Sequence, residues 1–287
     1  MIKLGLIGYP LGHSLSPRIH NTALDACGLE GNYSLFPVQP DDQQALENLL
    51  NRVRYGEIHG LNVTIPHKQN VIPALDGLTP TAKSIGAVNT IYLHKDKLIG
   101  ENTDARGFLV DLQKLLTTHL SWRTASGETR RQGDLRALVL GAGGSARAIV
   151  YALVHAGWDV MIAARRLDQG NQLANQFENV MAIELSPQTF QRSDVQLIVN
   201  TTPVGMRPIV DESLWPEDQP FPVHAAIYDL VYNPRETKLV QEARAQGLEA
   251  TTGLGMLIEQ AALAFEIWTG YNPPREIMLE AVNQTVD

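Results

Sequence analysis

The sequence predicts an α/β protein of two domains, with a parallel sheet in its second half. A cluster of glycines lies between an apolar run and an alanine-rich helical pattern at residues 135–157. Short apolar runs then alternate with helical patterns, which is typical of a parallel sheet with right-handed crossovers. The 287 residues are ample for two hydrophobic cores.

The glycine turn at 141–146, GAGGSA, has the Gly-x-Gly-x-x-Ala spacing of the dinucleotide-binding fingerprint. Glycines let the backbone turn sharply and let a pyrophosphate approach closely. The following helix, starting near Ser145, would point its amide groups at that phosphate. An ordinary strand-to-helix turn is the alternative. The strand before the turn, the helix after it and a further strand at Asp159–Ala164 favour a Rossmann-type nucleotide-binding domain.

The first 104 residues predict a sheet with helices packed on it. Ser16 is expected to cap the first helix, because Pro17 follows it. Pro66 is expected to open a short helix. The predicted strands are Met1–Gly8, Tyr33–Val38, Ile58–Thr64 and a hairpin over Ala87–Asn102, and the predicted helices include Asp41–Arg54, Thr79–Ile85 and Asp104–Leu116.

The second half of the sequence predicts a domain in which strands and helices alternate. The polar stretch His119–Asp134 has no apolar periodicity and is interpreted as a surface excursion before it. The predicted strands are Ala137–Leu140, Val160–Ala164, Val180–Ile183, Val195–Asn200 and Ala226–Leu230. The predicted helices lie near Asp168–Phe177, Pro187–Arg192 and Glu236–Gln246, and two more cover Met256–Trp268 and Pro274–Gln284.

Composition limits the classes of partner. A formal net charge of −8 disfavours a nucleic-acid partner. A single cysteine excludes an internal disulfide, and the histidines and cysteine show no metal-ligand spacing. No apolar run approaches the roughly 20 residues of a membrane helix. We therefore expect a cytoplasmic protein that binds a small molecule, without a metal, a nucleic acid or a membrane.

The end of the second nucleotide strand indicates the cofactor type. An NAD site normally has an acidic residue there, bonded to the ribose hydroxyl. This strand instead ends in Ala164, followed by Arg165 and Arg166. Two guanidinium groups suit a 2′-phosphate, so NADP is predicted. Surface arginines are the alternative, and Asp168 is expected to cap the next helix or to favour NAD weakly.

Three polar clusters outside the nucleotide unit could carry chemistry. Ser14 and Ser16 could hold a carboxylate, and Asn62 and Thr64 alternate on one side of a strand. Lys68 is predicted in the first turn of a helix, where the dipole disfavours a cation; a lysine there can serve as a general acid or base. The third cluster spans Asn89-Thr90 and residues 101–104. Taken singly, each cluster is explained as well by a cap or a solvated side chain.

Taken together and in order, these stretches resemble the shikimate dehydrogenases. The matching segments are GYPLGHSLSPRIHN, GLNVTIPHK, GAVNT, ENTDARGF, LGAGGSARA, NTTPVGM, YDLVYNP and GLGMLIEQAALAFEIWTG. The resemblance covers nearly the whole chain, apart from His119–Asp134 and the surroundings of NTTPVGM. One departure concerns the second nucleotide strand, which ends Ala-Arg-Arg where NADP-using members usually have Asn-Arg-Thr.

The resemblance implies reversible reduction of 3-dehydroshikimate to shikimate with NADPH, with Lys68 and Asp104 as the catalytic pair. It implies that the substrate is held by Ser14, Ser16 and Tyr232 at its carboxylate and by Asn62, Thr64, Asn89 and Gln260 at its ring hydroxyls. The implied cofactor-binding residues are Gly141, Ala142, Gly143, Gly144, Ser145, Ala146, Ala164, Arg165, Arg166, Thr201, Thr202, Pro203, Met206, Leu230, Gly253 and Met256.

The implied architecture is a substrate-binding and catalytic domain of residues 1–104 and 257–287, and an NADP-binding Rossmann domain of residues 105–256. The C-terminal helices return to the first domain, and a homodimer is a possible assembly. Two alternative functions stay open: a quinate/shikimate dehydrogenase that uses NAD, and a catalytically inactive NADP-binding regulator. The joint presence of Lys68, Asp104 and Gln260 argues against the regulator.

Overall fold

The computed structural model describes residues 1–118 and 135–283. The chain divides into two compact units: unit 1 comprises residues 1–107 and 257–287, and unit 2 comprises residues 108–256. The excursion expected at His119–Asp134 lies outside the described residues. Each described unit combines one sheet with helices, so the predicted α/β class is confirmed.

Unit 1 contains a mixed sheet in the order β2-β1-β3-β5-β6-β4. β1 is parallel to β2 and β3, whereas β5 is antiparallel to β3 and β6. The strands are β1 (Ile2–Gly8), β2 (Gly31–Pro37), β3 (Gly60–Val63), β4 (Gly77–Leu78), β5 (Thr90–His94) and β6 (Lys97–Glu101). The first helices are α1 (Ser16–Ala26), α2 (Gln43–Arg54), α3 (His67–Asn70) and α4 (Pro80–Ile85).

Local sequence explains these elements. Lys95 and Asp96 both have positive φ, 49° and 60°, as a two-residue hairpin between β5 and β6 requires. Asp42 accepts a hydrogen bond from the Ala45 amide and starts α2. One face of α2 is buried in the unit 1 core, through Leu46, Leu49, Leu50 and Val53.

Unit 2 contains a sheet of six strands in the order β12-β11-β10-β7-β8-β9, and every neighbouring pair is parallel. The chain starts in the centre at β7, moves to one edge and then reverses through β10, which places a switch point between β7 and β10. The strands are β7 (Arg136–Leu140), β8 (Asp159–Ala164), β9 (Val180–Glu184), β10 (Leu197–Asn200), β11 (Ala226–Asp229) and β12 (Ala250–Thr252).

Helix α5 (Asp104–Thr118) starts in unit 1 and ends in unit 2. The helices that follow are α6 (Gly144–His155), α7 (Leu167–Ala174), α8 (Lys238–Ala245), α9 (Leu254–Thr269) and α10 (Arg275–Asn283), and Pro187–Gln191 is a 3₁₀ helix. Residues 257–283 belong to unit 1, so the predicted return of the C-terminal helices is observed. No helix in the described ranges is long and apolar enough to span a membrane.

Two predicted caps were wrong. The cap of α1 is Leu15, without a side-chain bond, and Ser16 is already helical and buried. Likewise α7 starts at Leu167 after Arg166, so Asp168 lies inside the first turn. Its negative charge there still interacts favourably with the helix dipole. The sequence interpretation also missed β4 and β12, which have two and three residues and are too short to show alternation.

Candidate active site

A lysine–carboxylate pair lies inside unit 1. Lys68 is in α3 and Asp104 is the first residue of α5. The Lys68 Nζ lies 2.6 Å from Asp104 Oδ2, and their side chains are only 12% and 6% exposed. Helix α3 has a single turn, so this carboxylate, rather than a helix dipole, is the main electrostatic partner of the ammonium group. A proton donor is thereby held in one orientation and largely shielded from water.

The carboxamide of Asn89 connects this pair to two further elements. Its Nδ2 lies 2.8 Å from Asp104 Oδ1, 2.9 Å from Thr103 Oγ1 and 3.2 Å from Gln260 Oε1. Its Oδ1 accepts from the Thr103 amide at 2.8 Å and from the Thr90 hydroxyl at 2.9 Å. The two amide hydrogens of Asn89 are therefore shared among three acceptors, of which Gln260 Oε1 is the farthest.

Asn62 lies next to this network. It is buried on β3, and its Oδ1 accepts from the Tyr33 hydroxyl at 2.8 Å. Its Nδ2 donates to the Asn89 carbonyl at 3.1 Å. These bonds fix which way the amide points, since its oxygen and nitrogen have different partners. Thr64 follows the end of β3 and is half-buried, so the predicted alternation of Asn62 and Thr64 extends past the strand.

The two serines lie at the start of α1. The Ser16 amide donates to Ser14 Oγ at 3.3 Å, and Ser14 is half-buried whereas Ser16 is buried. The structure thus holds both hydroxyl groups at one helix start, although Ser16 is not its cap.

The predicted glycine turn connects β7 to α6 in unit 2. Gly141 has φ +106°, and a Cβ there would lie 2.7 Å from Thr201 Oγ1 and 3.0 Å from Thr202 Cγ2, so only glycine fits. At Gly143, in contrast, no atom of the described residues other than its chain neighbours lies within 4 Å of an added Cβ. This open space adjoins the amide groups at the start of α6, which is the arrangement that a phosphate needs.

The rest of the turn packs inward. Ala146 is fully buried and Ala142 is 9% exposed, while Ser145 is half-buried. The small Ala146 lets α6 lie close to the sheet, as the fingerprint requires. The turn therefore fits a dinucleotide.

The end of β8 presents two arginines. The strand ends at the buried Ala164, and Arg165 and Arg166 are both exposed. Within the described ranges, neither guanidinium group forms a salt bridge. Two exposed cations at this strand end fit a 2′-phosphate better than a ribose hydroxyl.

The remaining predicted cofactor residues lie after β10, β11 and β12. A Cβ at Gly253 would lie 2.3 Å from the Leu230 carbonyl oxygen, so these two segments touch through the glycine. Met256 is 7% exposed and Met206 is 45% exposed. Burial raises the pKa of the Tyr232 phenol, which therefore stays neutral and can donate a hydrogen bond. Tyr232 belongs to unit 2, as do Thr201, Thr202 and Pro203.

Several residues of these networks were not predicted. In unit 1 they are Tyr33, which bonds Asn62, and Gly107, which lies against Gln260. In unit 2 they are Asn200 and Asp229, which bond each other at the ends of β10 and β11. The last two carried a signal, since each is a polar residue that ends an apolar strand, in LIVN and AIYD. No sequence pattern singled out Tyr33 or Gly107, because their contacts come from residues 29 and 153 positions away. The described residues contain no cluster of three His, Cys, Asp or Glu side chains that could hold a metal.

A dinucleotide-binding fold can hold a nicotinamide cofactor, which supplies a hydride, and a carbonyl that receives a hydride needs a proton donor. Unit 2 has that fold, and unit 1 holds an ammonium group that is able to donate a proton, that of Lys68 beside Asp104. These features define an NAD(P)-dependent α/β oxidoreductase. Family descriptions match the chain as "Shikimate dehydrogenase substrate binding domain" at residues 6–91, "Shikimate / quinate 5-dehydrogenase" at 124–215 and "Shikimate 5'-dehydrogenase C-terminal domain" at 253–282. The chain belongs to the shikimate dehydrogenase family.

Individual relatives agree with this over the full length. The shikimate dehydrogenase (NADP(+)) of Carboxydothermus hydrogenoformans is 38% identical over 282 residues, which cover 97% of this chain and 95% of the relative. The structure of Thermus thermophilus shikimate 5-dehydrogenase with NADP(H) and shikimate has a TM-score of 0.81 and 37% identity, with both chains fully covered. Quinate dehydrogenase from Corynebacterium glutamicum with NAD has a TM-score of 0.84 and 30% identity, with 99% of each chain covered. The predicted family is confirmed.

Proposed function

We propose that this chain catalyses the reversible, NADPH-dependent reduction of 3-dehydroshikimate to shikimate, in the biosynthesis of aromatic amino acids through chorismate. The observation that carries the proposal is the shielded Lys68–Asp104 pair, which supplies a proton donor for a ketone. The curated relative that is 38% identical over nearly the whole chain is an NADP(+) enzyme, and this supports the same cofactor here.

Lys68 is the general acid of the proposed reaction. NADPH, when bound, supplies a hydride to the carbonyl carbon, and negative charge then grows on the oxygen. The Lys68 ammonium donates a proton to that oxygen, and it takes the proton back in the direction of shikimate oxidation. Such acid catalysis typically contributes about 10²–10⁴-fold. Asp104 holds the Nζ at 2.6 Å and so keeps the donor in place.

The polar residues of unit 1 hold the substrate. Ser14 and Ser16 bind its carboxylate, with help from Tyr232, whose neutral phenol can donate. Gln260 and Asn89 share a hydrogen bond of 3.2 Å that can be exchanged for a bond to a ring hydroxyl. Asn62 and Thr64 contact further hydroxyl groups. Amides suit this task because each offers both a donor and an acceptor.

Unit 2 holds the cofactor. The turn from Gly141 to Ala146 takes the pyrophosphate at the start of α6, with the open space at Gly143 as its path of approach. Arg165 takes the 2′-phosphate with Arg166 beside it. The residues Ala164, Thr201, Thr202, Pro203, Met206 and Leu230 would contact the cofactor, and Gly253 and Met256 would lie near its nicotinamide.

The proposed domain roles are therefore substrate binding for residues 1–104 and 257–287 and NADP binding for residues 105–256. The two compact units divide at 107/108 and 256/257, close to these limits. The homodimer and the cytoplasmic location stay predictions.

Initial-rate kinetics test the function. Shikimate and quinate are each oxidised with NADP and with NAD, and the reduced nicotinamide is followed by its absorbance. We expect the highest kcat/KM for shikimate with NADP, about 10–100-fold above shikimate with NAD, which is the worth of a charged hydrogen bond to a phosphate. Quinate oxidation with NAD at comparable efficiency would instead identify a quinate/shikimate dehydrogenase. Tight NADP binding without turnover would identify an inactive regulator.

A further inference from the structure

Two neighbouring strands of unit 2 end in buried polar residues that bond each other. Asn200 ends β10 and Asp229 ends β11, and the two are directly paired in the sheet. They are 2% and 0% exposed. The Asn200 Nδ2 donates to Asp229 Oδ1 at 2.8 Å. The pair lies at the carboxyl ends of parallel strands, where ligands of such sheets bind.

Asn200 holds the segment that follows β10. Its Oδ1 accepts from the Thr202 amide at 3.0 Å and from the Thr202 hydroxyl at 2.8 Å. The Thr202 Oγ1 in turn accepts from the Val204 amide at 3.3 Å. One buried amide therefore determines the conformation of the first residues of Thr201–Met206.

Asp229 holds the segment that follows β11. Its Oδ1 also accepts from the Val231 amide at 3.0 Å, and its Oδ2 accepts from the Thr237 hydroxyl at 2.6 Å. The Leu230 amide donates to the Asn200 carbonyl at 2.9 Å. The two loops are therefore tied to one another through a single buried pair.

The carboxylate of Asp229 has no cation among the described residues, and its bonds all come from neutral donors. Burial accordingly raises the pKa of Asp229 to about 6, against the opposing effect of these hydrogen bonds. Burying a carboxylate without a cation costs free energy even when it is hydrogen-bonded, so stability alone does not explain this pair. What an apolar pair could not supply is the set of bonds to the loop amides.

We propose that Asn200 and Asp229 are positioning residues for the cofactor, which hold Thr201–Met206 and Leu230–Val231 in the conformation that binds the nicotinamide nucleotide. The inference rests on the proposed function, which assigns these segments to NADP. Neither residue needs to touch the nucleotide; both act through the amide groups that they orient.

The variant Asp229→Asn tests this, because it keeps the shape but removes the charge that strengthens the bonds from the Asn200 side chain and the Val231 amide to Oδ1. We expect the Kd and KM for NADP to rise about tenfold, the loss of about one hydrogen bond, while the KM for shikimate and kcat at saturation change less than about twofold. The matched control is Thr237→Val, which removes the bond to Asp229 Oδ2 and the cap bond from the Val240 amide, both on the α8 side. It should lower the Tm and leave the Kd for NADP unchanged.

An unchanged Kd for NADP in folded Asp229→Asn overturns the proposal, as does an equal rise in both variants, which would indicate a merely structural role. If Asp229→Asn does not fold, Asn200→Ser is measured instead, with the same expected rise. If the wild-type protein does not oxidise shikimate, the proposed function fails, and the Kd values for NADP still decide on the positioning role.

Discussion

Gly107 in α5 lies directly against the backbone of Gln260 in α9. A Cβ at Gly107 would come within 2.8 Å of the Gln260 nitrogen and 2.9 Å of its Cβ. The neighbour is backbone rather than a flexible side-chain end, so it cannot give way cheaply. The absence of a side chain at Gly107 therefore sets where Gln260 stands relative to Asn89, to which it is hydrogen-bonded.

Gly107→Ala should displace Gln260. We expect the KM for shikimate to rise several-fold and the free energy of unfolding to fall by about 1–3 kcal/mol, the usual cost of overpacking. Kinetics and urea unfolding measure both. Gly170→Ala is the matched control in α7, where an added Cβ meets only two alanine methyl groups at 3.2 and 3.4 Å. Equal behaviour of the two variants would show that the contact with Gln260 has no role.

Lys68→Ala should abolish most of the turnover and spare cofactor binding. The proposed proton donor is lost, so kcat should fall about 10²–10⁴-fold, while the Kd for NADPH stays close to that of the wild type. Stopped assays and NADPH fluorescence measure the two quantities. Lys83→Ala removes an exposed lysine and should leave kcat unchanged. A Lys68→Ala enzyme near the wild-type rate would refute the assigned role.

Arg165→Gln should weaken the binding of NADP far more than the binding of NAD. Loss of a guanidinium–phosphate contact costs about 10–100-fold, and NAD lacks that phosphate. The ratio of KM values for the two cofactors measures the effect. Arg136→Gln, at an exposed arginine that pairs with Asp194, should leave the ratio unchanged. Equal losses for NADP and NAD in Arg165→Gln would show that Arg165 does not contact the phosphate.

Tyr33→Phe should loosen Asn62. The hydroxyl that donates to Asn62 Oδ1 is removed, while the ring stacked on His20 at 4.3 Å is kept. We expect a several-fold rise in the KM for shikimate, an unchanged KM for NADP, and a stability loss of about 1 kcal/mol. Tyr55→Phe changes an exposed phenol and serves as the control. An unchanged KM for shikimate would show that the Tyr33 hydroxyl has no role in substrate binding.

His20 should make unit 1 sensitive to acid. Burial lowers its pKa to about 3, with a smaller opposing effect of Asn62, whereas the unfolded chain binds this proton near pH 6.5. The stabilising contribution is therefore complete above about pH 6.5 and is lost progressively as the pH falls towards 3. The wild type should lose about 1.4 kcal/mol per pH unit below 6.5 relative to His20→Gln.

Urea unfolding between about pH 4.5 and 8 measures this difference. His224→Gln, at an exposed histidine, is the control, and its free energy of unfolding should change with pH as that of the wild type does. The comparison uses differences because Asp229, with a raised pKa, acts in the opposite sense: its stabilising contribution is present at low pH and is lost as the pH rises through about 6. A difference in the free energy of unfolding between the wild type and His20→Gln that does not change with pH would contradict the prediction.

Much of the fold followed from local patterns. The unit 2 strands from β7 to β11 were predicted within two residues at each end, because buried parallel strands are short apolar runs between turn residues. The glycine turn was predictable from its spacing, because its φ and its close contact to Thr201 leave room for glycine alone and so fix the residue type in the sequence. The cap at Ser16 was wrong because a serine before proline fits either the cap or the first turn, and local sequence does not distinguish them.

The sequence by itself determined the α/β class, the nucleotide turn, the arginines after β8 and, through its ordered motifs, the family. These depend on neighbours in the chain or on backbone conformation. Only the tertiary structure decided that Asp229 bonds Asn200, that Tyr33 orients Asn62 and that Gly107 lies against Gln260. Each of these joins residues far apart in the chain, and such a contact exists only once sheets and helices have packed, so no local pattern can encode it.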